Sequence, residues 1–285
     1  MLNFNKQIRA FFLLKVDTVM LIIAERINAS RKYIAQAIVS KNIDFIKNET
    51  KAQDLAGADY IDVNAGTFVG EETDKLKWII EAVQGATEKP LSIDSPDPAV
   101  VKAVLPMLKK TPMINSITLE KDRLDGILPI VSEHKAKVIG LCQSEDLMAN
   151  TADDKIKMAG RLVDEVTRAG ISLDDLYIDP LVYPLSTSPL SAIATLKAIE
   201  DIMKNFKGVH TICGLTNVSY GLPNRKLINR AFLVAAIGHG LDSVILDPTD
   251  NQLYGALKAA LVISARDEFC IGYIQAFREG RLKSL

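Results

Sequence analysis

Short, nearly continuous apolar runs recur along the chain, each ending in a polar residue and each followed by a longer stretch with helical spacing. Eight stand out, over 21–27, 59–63, 90–93, 113–117, 137–141, 176–178, 209–215 and 242–246. Strands covered on both faces read this way, because neither face alternates with water. The intervening segments predict helices. Over 74–86 (DKLKWIIEAVQGA), Leu76, Ile79, Ile80 and Val83 form one apolar stripe with charges opposite. The stretches 153–168 and 189–206 share that spacing. Ahead of 99–108, Asp97 is placed to cap a helix and Pro98 to open it. Gly57 and Gly170 stand where a helix would end before the next strand.

Eight strands alternating with helices, with no break in composition, predict one (β/α)8 TIM barrel over 21–285. Residues 1–20 are expected to be an N-terminal extension without a catalytic role, either an extra helix or the result of an upstream start codon. An open doubly wound sheet is the alternative, but no G-x-G-x-x-G opens a helix after the first strand.

Composition narrows the function classes. Of 285 residues, 48% are hydrophobic and 24% charged, so a large core is available and disorder is excluded. Thirty-four Lys and Arg against 35 Asp and Glu leave a net charge of −1, with no basic excess to attract nucleic acid. Cys142, Cys213 and Cys270 are far apart, which disfavours a disulfide framework or structural zinc and fits a reducing cytoplasm. The apolar patch at 10–14 is too short for a signal sequence and ends at Lys15 and Asp17; no run reaches the ~20 residues of a membrane span.

A barrel's chemistry sits at the C-terminal ends of its strands. Those ends carry Glu25, Arg26 and Asn28; Asp62 and Asn64; Asp94 and Ser95; Asn115 and Ser116; Cys142 and Gln143; Asp179; Asn217 and Ser219; and Asp247. Asp and Asn are also favoured at turns and caps, which accounts for any one of them. Collectively, so many carboxylates and amides in one mouth need a partner. A flat heterocycle with an amidine-like edge suits them: a carboxylate accepts two parallel hydrogen bonds from a ring N–H and its neighbouring amine. A pterin presents that edge, and so does a guanine. His134, His210 and His239 all lie away from the strand ends, no metal-ligand spacing appears, and no lysine sits in the second half of a strand. Cys142 reads as a buried filler rather than a nucleophile.

The motifs LIIAERIN (21–28), YIDVNAG (60–66), LSIDS (91–95), MINS (113–116), DLYIDPL (175–181), GLTNVS (214–219) and NRKLINRAFL (224–233) occur in that order. Together they resemble the methyltetrahydrofolate:corrinoid protein methyltransferases. These include the corrinoid iron–sulfur protein methyltransferase and the folate domain of cobalamin-dependent methionine synthase. The resemblance implies a pterin-binding barrel, a homodimer, that moves a methyl group between N5 of 5-methyltetrahydrofolate and the cobalt of a corrinoid (cob(I)alamin or methylcobalamin) on a separate protein. It implies Asp94, Asn115 and Asp179 as pterin-edge ligands and Asn217 as the amide that reaches N5. Arg225 falls near the folate, with Asp62, Asn64 and Glu25 completing the mouth. The family often carries an amide three residues beyond that asparagine, where Tyr220 stands here. The connections 143–151 and 182–188 are expected to rim the partner's docking site.

Two other readings use the same barrel. A dihydropteroate synthase needs basic residues for a diphosphate, for which Arg225, Lys226 and Arg230 would serve, but no early phosphate-loop signature is present. A pterin-binding subunit without activity would have no need of Asn217.

Overall fold

Eight parallel strands form one curved sheet: β1 (Leu21–Asn28), β2 (Tyr60–Asn64), β3 (Leu91–Asp94), β4 (Met113–Ile117), β5 (Lys137–Leu141), β6 (Leu176–Asp179), β7 (His210–Thr211) and β8 (Ser243–Leu246). They are ordered β7-β6-β5-β4-β3-β2-β1-β8. The two sheet ends meet at a Gly214–Ile245 bridge, where Ile245 N–H donates to Cys213 O at 3.1 Å. The barrel is thus nearly closed. This computed structural model describes residues 20–146 and 148–282. The expected extension over 1–20, Met20 apart, lies outside the described residues.

Around the strands stand α1 (Lys32–Val39), α2 (Ile43–Leu55), α3 (Glu72–Gln84), α4 (Pro98–Val104), α5 (Lys121–His134), α6 (Ala152–Arg168), α7 (Ser191–Asn205), α8 (Arg225–Gly238), α9 (Asn251–Ile263) and α10 (Ile271–Arg278). No helix among the described residues is long and apolar enough to cross a membrane. Asp97 caps α4 as expected, accepting from Ala99 N–H at 2.8 Å. The helix expected over 99–108 ends at Val104 and tightens into a 3-10 turn over Leu105–Met107. Pro106 in that turn has no N–H to continue the α ladder. Gly57 and Gly170 follow helix ends at φ +86° and +72°, a conformation glycine adopts without steric cost.

Helix α5 can approach α4 only because residue 126 is glycine. A Cβ there would lie 2.6 Å from Pro98 Cγ. Gly126→Ala should therefore lower stability by about 1–3 kcal/mol despite the better helix propensity of alanine. Urea unfolding measures it, and an equal or higher midpoint would show that the contact relaxes freely.

The strand pleat builds the inside of the barrel in layers. Ile23, Tyr60, Met113, Ile139, Tyr177 and Ile212 pack together as a buried cluster separate from the sheet–helix core. Two residues further along come Glu25, Asp62, Asn115, Leu141 and Asp179 on the strands and Gly214 just beyond β7. An apolar plug thus carries a polar floor.

Strand seven corrects the sequence reading. It is expected over 209–215 but pairs with β6 only through His210 and Thr211. Beyond Ile212 the ladder stops, because Gly214 N–H donates to the Asp179 side chain rather than to a strand carbonyl. The connections after β5 (142–151), β6 (180–190) and β7 (212–224) are the long ones; the third was not expected, because it takes up what reads as strand.

Candidate functional site

At the C-terminal ends of β2, β3 and β4, neighbouring strands bring four of the expected residues into one ladder made of two hydrogen-bonded sets side by side. The register sets Asp62 beside Ser92 and Asp94 beside Asn115. Asp62 Oδ1 accepts from Ser92 Oγ at 2.6 Å and from Asn115 Nδ2 at 3.2 Å. Asn64 Nδ2 donates to Asp94 Oδ2 at 3.0 Å and to its main-chain oxygen at 3.1 Å. Asn64 Oδ1 in turn accepts from Gly66 N–H at 3.1 Å, which fixes which way the amide faces.

Burial raises both carboxyls of this ladder. Asp62 is buried, and burial with the nearby Asp94 charge pushes it well above the usual carboxylate range. Asp94 is pushed up to about 6, chiefly by burial, against the Asn64 hydrogen bond and the charge of Arg123. Arg123 is held in place by Ser116, donating from Nε to its carbonyl and from Nη2 to its hydroxyl, both at 3.0 Å.

Asp179 ends β6 on the other side of the floor. Its Oδ1 accepts from Leu181 N–H at 2.8 Å and its Oδ2 from Gly214 N–H at 3.2 Å. Burial raises it to about 6, against those two N–H groups and the charge of Lys155. Each carboxylate oxygen keeps a lone pair for a ligand.

Asn217 is not at a strand end. It sits on the 3-10 turn Leu215–Ser219 after β7 and is exposed. A Cβ placed on Gly214 would lie 3.8 Å from Asn217 Nδ2 and 3.9 Å from Asp179 Oδ2, so the amide and the carboxylate converge over that glycine. The lack of a side chain at 214 keeps the space between them open.

Asn217 also lines a cleft on the β1–β8 side, with Glu25, Arg31, Arg225 and Asp247. Glu25 lies within β1 rather than at its end, where the register against β2 shifts between Ala24 and Ile27. It pairs with Arg31 at 3.1 Å, and burial raises its pKa. Arg26 is committed to structure, bridging Glu49 at 2.7 Å and Asp247 at 2.9 Å. Arg225 donates to Ser219 Oγ at 3.1 Å and Thr216 O at 2.7 Å, and so braces the turn that carries Asn217. Tyr220 lies under the Arg225 guanidinium, 5.7 Å from it, and is exposed.

All eight expected residues therefore reach the mouth: Asp62, Asn64, Asp94 and Asn115 in the ladder, Asp179 opposite, Glu25 and Arg225 in the cleft, and Asn217 touching both regions. Cys142 is fully buried, its thiol donating to Lys155 O at 3.4 Å. His210 is at the other end of the barrel, stacked on Tyr177 and 2.7 Å from Asp242. Among the described residues no group of three or more His, Cys, Asp or Glu is arranged to hold a metal ion. Sequence reasoning missed Arg123 and Lys155, both on helices. Lys155 had a signal: it falls on the apolar stripe of α6 with Ala159, Leu162 and Val166.

The family model for pterin binding enzymes matches residues 24–247. The chain is 36% identical to the methylcorrinoid:tetrahydrofolate methyltransferase of Eubacterium limosum over 92% of this chain and 98% of that protein. It is 29% identical to the methionine synthase of Mycobacterium tuberculosis over 81% of this chain, but spans only 20% of that longer protein. Among solved structures, the dihydropteroate synthase of Xanthomonas albilineans superposes with a TM-score of 0.67, covering 90% of this chain and 95% of that one. Its identity is 17%, so this likeness is one of fold. With its ladder of carboxylates and amides over an eight-stranded barrel, the chain belongs to the pterin binding enzyme family.

Proposed function

We propose that this chain is a methyltransferase that moves the N5 methyl group between 5-methyltetrahydrofolate and the cobalt of a corrinoid carried on a separate protein. The observation that carries this reading is the convergence of the Asn217 amide and the Asp179 carboxylate over Gly214, across the floor from the Asp94–Asn64 pair. The donor set fits the pterin. Ionised Asp179 and Asp94 offer acceptors to ring N–H and exocyclic amine donors, and Asn115 offers both a donor and an acceptor.

The transfer is a displacement at the methyl carbon. As the bond from cobalt to carbon forms, the N5–carbon bond breaks, its electron pair stays on N5, and N5 takes up a proton from solvent water to give tetrahydrofolate; the reverse reaction returns that proton. The reduced corrinoid supplies the nucleophile, so this chain needs none. Its residues align the methyl group and make N5 a better leaving group. The Asn217 Nδ2–H donates to N5 as that pair builds up, an interaction worth more in the transition state than in the bound substrate. In the reverse direction the same hydrogen bond is given up as N5 attacks. Asp94 and Asp179 hold the ring; neither is the proton donor.

The reading includes a homodimer, a cytoplasmic location and a corrinoid protein that docks over the mouth. The long connections after β5, β6 and β7 lie at that end of the barrel. Mixing the protein with 5-methyltetrahydrofolate and cob(I)alamin should yield methylcobalamin and tetrahydrofolate, followed by the visible spectrum. Folate binding without transfer to any free or protein-bound corrinoid would make the chain a pterin-binding protein instead.

A further inference from the structure

The only fully buried side chain of full formal charge at this end of the described barrel is Lys155, on α6, with 0% relative exposure. An ammonium in that position is costly unless its protons are all placed. No carboxylate of the described residues forms an ion pair with it. Nζ instead donates to Pro180 O at 2.7 Å and Leu181 O at 2.6 Å, and lies 4.9 Å from the centre of the Tyr183 ring. These acceptors belong to the two residues that follow Asp179.

The turn they form is strained. Leu181 has φ +60°, where a branched side chain is disfavoured. That backbone is what aims the Leu181 N–H at Asp179 Oδ1, 2.8 Å away. Thr195 Oγ1 also donates to Leu181 O, at 3.0 Å, and Tyr183 N–H donates to Ser191 Oγ at 2.7 Å. The turn is thus clamped from α6 and α7 together.

Resting on the methyltransferase reading above, we infer that Lys155 is a positioning residue for the pterin: it clamps the 180–181 carbonyls so that Asp179 faces the ring, and it supplies the positive charge behind that carboxylate. Lys155 never touches the substrate, because its Nζ is sealed beneath the turn. The groups that face Asp179 are Lys155 from α6, Cys142 from the end of β5, Cys213 beyond β7 and Tyr183 on the loop. Burial raises the pKa of both thiols and of the tyrosine, so all three are neutral; burial lowers that of Lys155 against the favourable charge of Asp179, and Lys155 is the one basic group of the set.

The test is equilibrium binding of 5-methyltetrahydrofolate against pH for wild type, Lys155→Met and Thr195→Val, with kcat measured at saturating folate. Lys155→Met should weaken binding by about 10- to 100-fold, the cost of leaving two buried carbonyls and a buried carboxylate without their charged partner. Its acid limb should move to higher pH, because Asp179 has lost the charge that favours ionisation. Thr195→Val loosens the same turn without removing a charge, and should cost about fivefold with the acid limb unmoved. A folded Lys155→Met protein that binds with wild-type affinity and wild-type pH profile overturns the inference. If Lys155→Met does not fold, Thr195→Val decides, and unchanged affinity again overturns it. Wild-type protein that fails to bind the folate at all strikes at the methyltransferase reading rather than at the clamp.

Discussion

Replacing Asn217 with alanine should lower kcat for methyl transfer by about 100- to 1,000-fold, with folate affinity within about threefold of wild type. The asymmetry follows from where the side chain sits. Its turn is held by Tyr220 N–H donating to the Asn217 carbonyl at 3.0 Å and by Arg225 on Thr216 O, neither of which uses the carboxamide. Truncation therefore leaves the backbone in place. On the proposed reading the ring is also held by Asp179 beside the amide and by Asp94 and Asn115 across the floor, so most of the binding energy survives. What is lost is a donor at the atom where the electron pair accumulates, and such a donor is worth most when the pair is formed. Asn217→Asp should do no better than alanine, since an ionised carboxylate only accepts. Stopped-flow transfer to cob(I)alamin at saturating folate separates the outcomes. A fall in affinity as large as the fall in kcat would mean that the amide holds the substrate and does not assist departure of N5.

The route from sequence to this site is uneven. Asp62, Asn64, Asp94, Asn115 and Asp179 are readable because each closes a short apolar run, and a strand that is apolar on both faces must end where its side chains meet the mouth. The two-residue pleat then fixes which of them share the inner face. Asn217 is different: β7 stops at Thr211, six positions earlier, and only the GLTNVS motif marks the residue. Its placement depends on Gly214 binding Asp179, a contact between β6 and the segment after β7 that no local pattern encodes. Arg123 is also opaque, since a cation in the first turn of α5 runs against the helix dipole and makes sense only once Ser116 and Asp94 are beside it. The ladder partners Ser92 and Asn64 fall between these cases: their types are visible, but their pairing needs the sheet register.

Acid should weaken folate binding and strengthen the empty protein, and the two slopes share a cause. Asp94 and Asp179 are each raised to about 6 by burial, above the range of an exposed aspartate. In the folded chain each binds its proton more tightly than in the unfolded chain. The stability this contributes is fully present below the unfolded pKa and is lost as pH rises through about 6. His210, raised by Asp242, adds to stability with the same sign. The ligand reverses the preference, because the pterin edge donates to the ionised carboxylates. Folate affinity should therefore fall as pH drops through about 6, and binding near that pH should release protons. Asp179→Asn places an amide donor against the donors of the ring and should cost about 2–4 kcal/mol, or about 30- to 1,000-fold in affinity. It also removes one of the two groups that titrate, so its remaining acid limb should be shallower, carried by Asp94 alone. Calorimetry in buffers of different ionisation enthalpy reads the released protons, and urea unfolding of the ligand-free protein at pH 5, 6 and 7 reads the stability slope. Affinity that stays constant from pH 5 to 7 would place the pterin somewhere other than against these two carboxylates. Affinity that falls in acid without proton release would place the titrating group on the folate. The pairing of opposite slopes is what ties the chemistry to the floor of the barrel: the charge that destabilises the empty site at neutral pH is the charge that the substrate is built to meet.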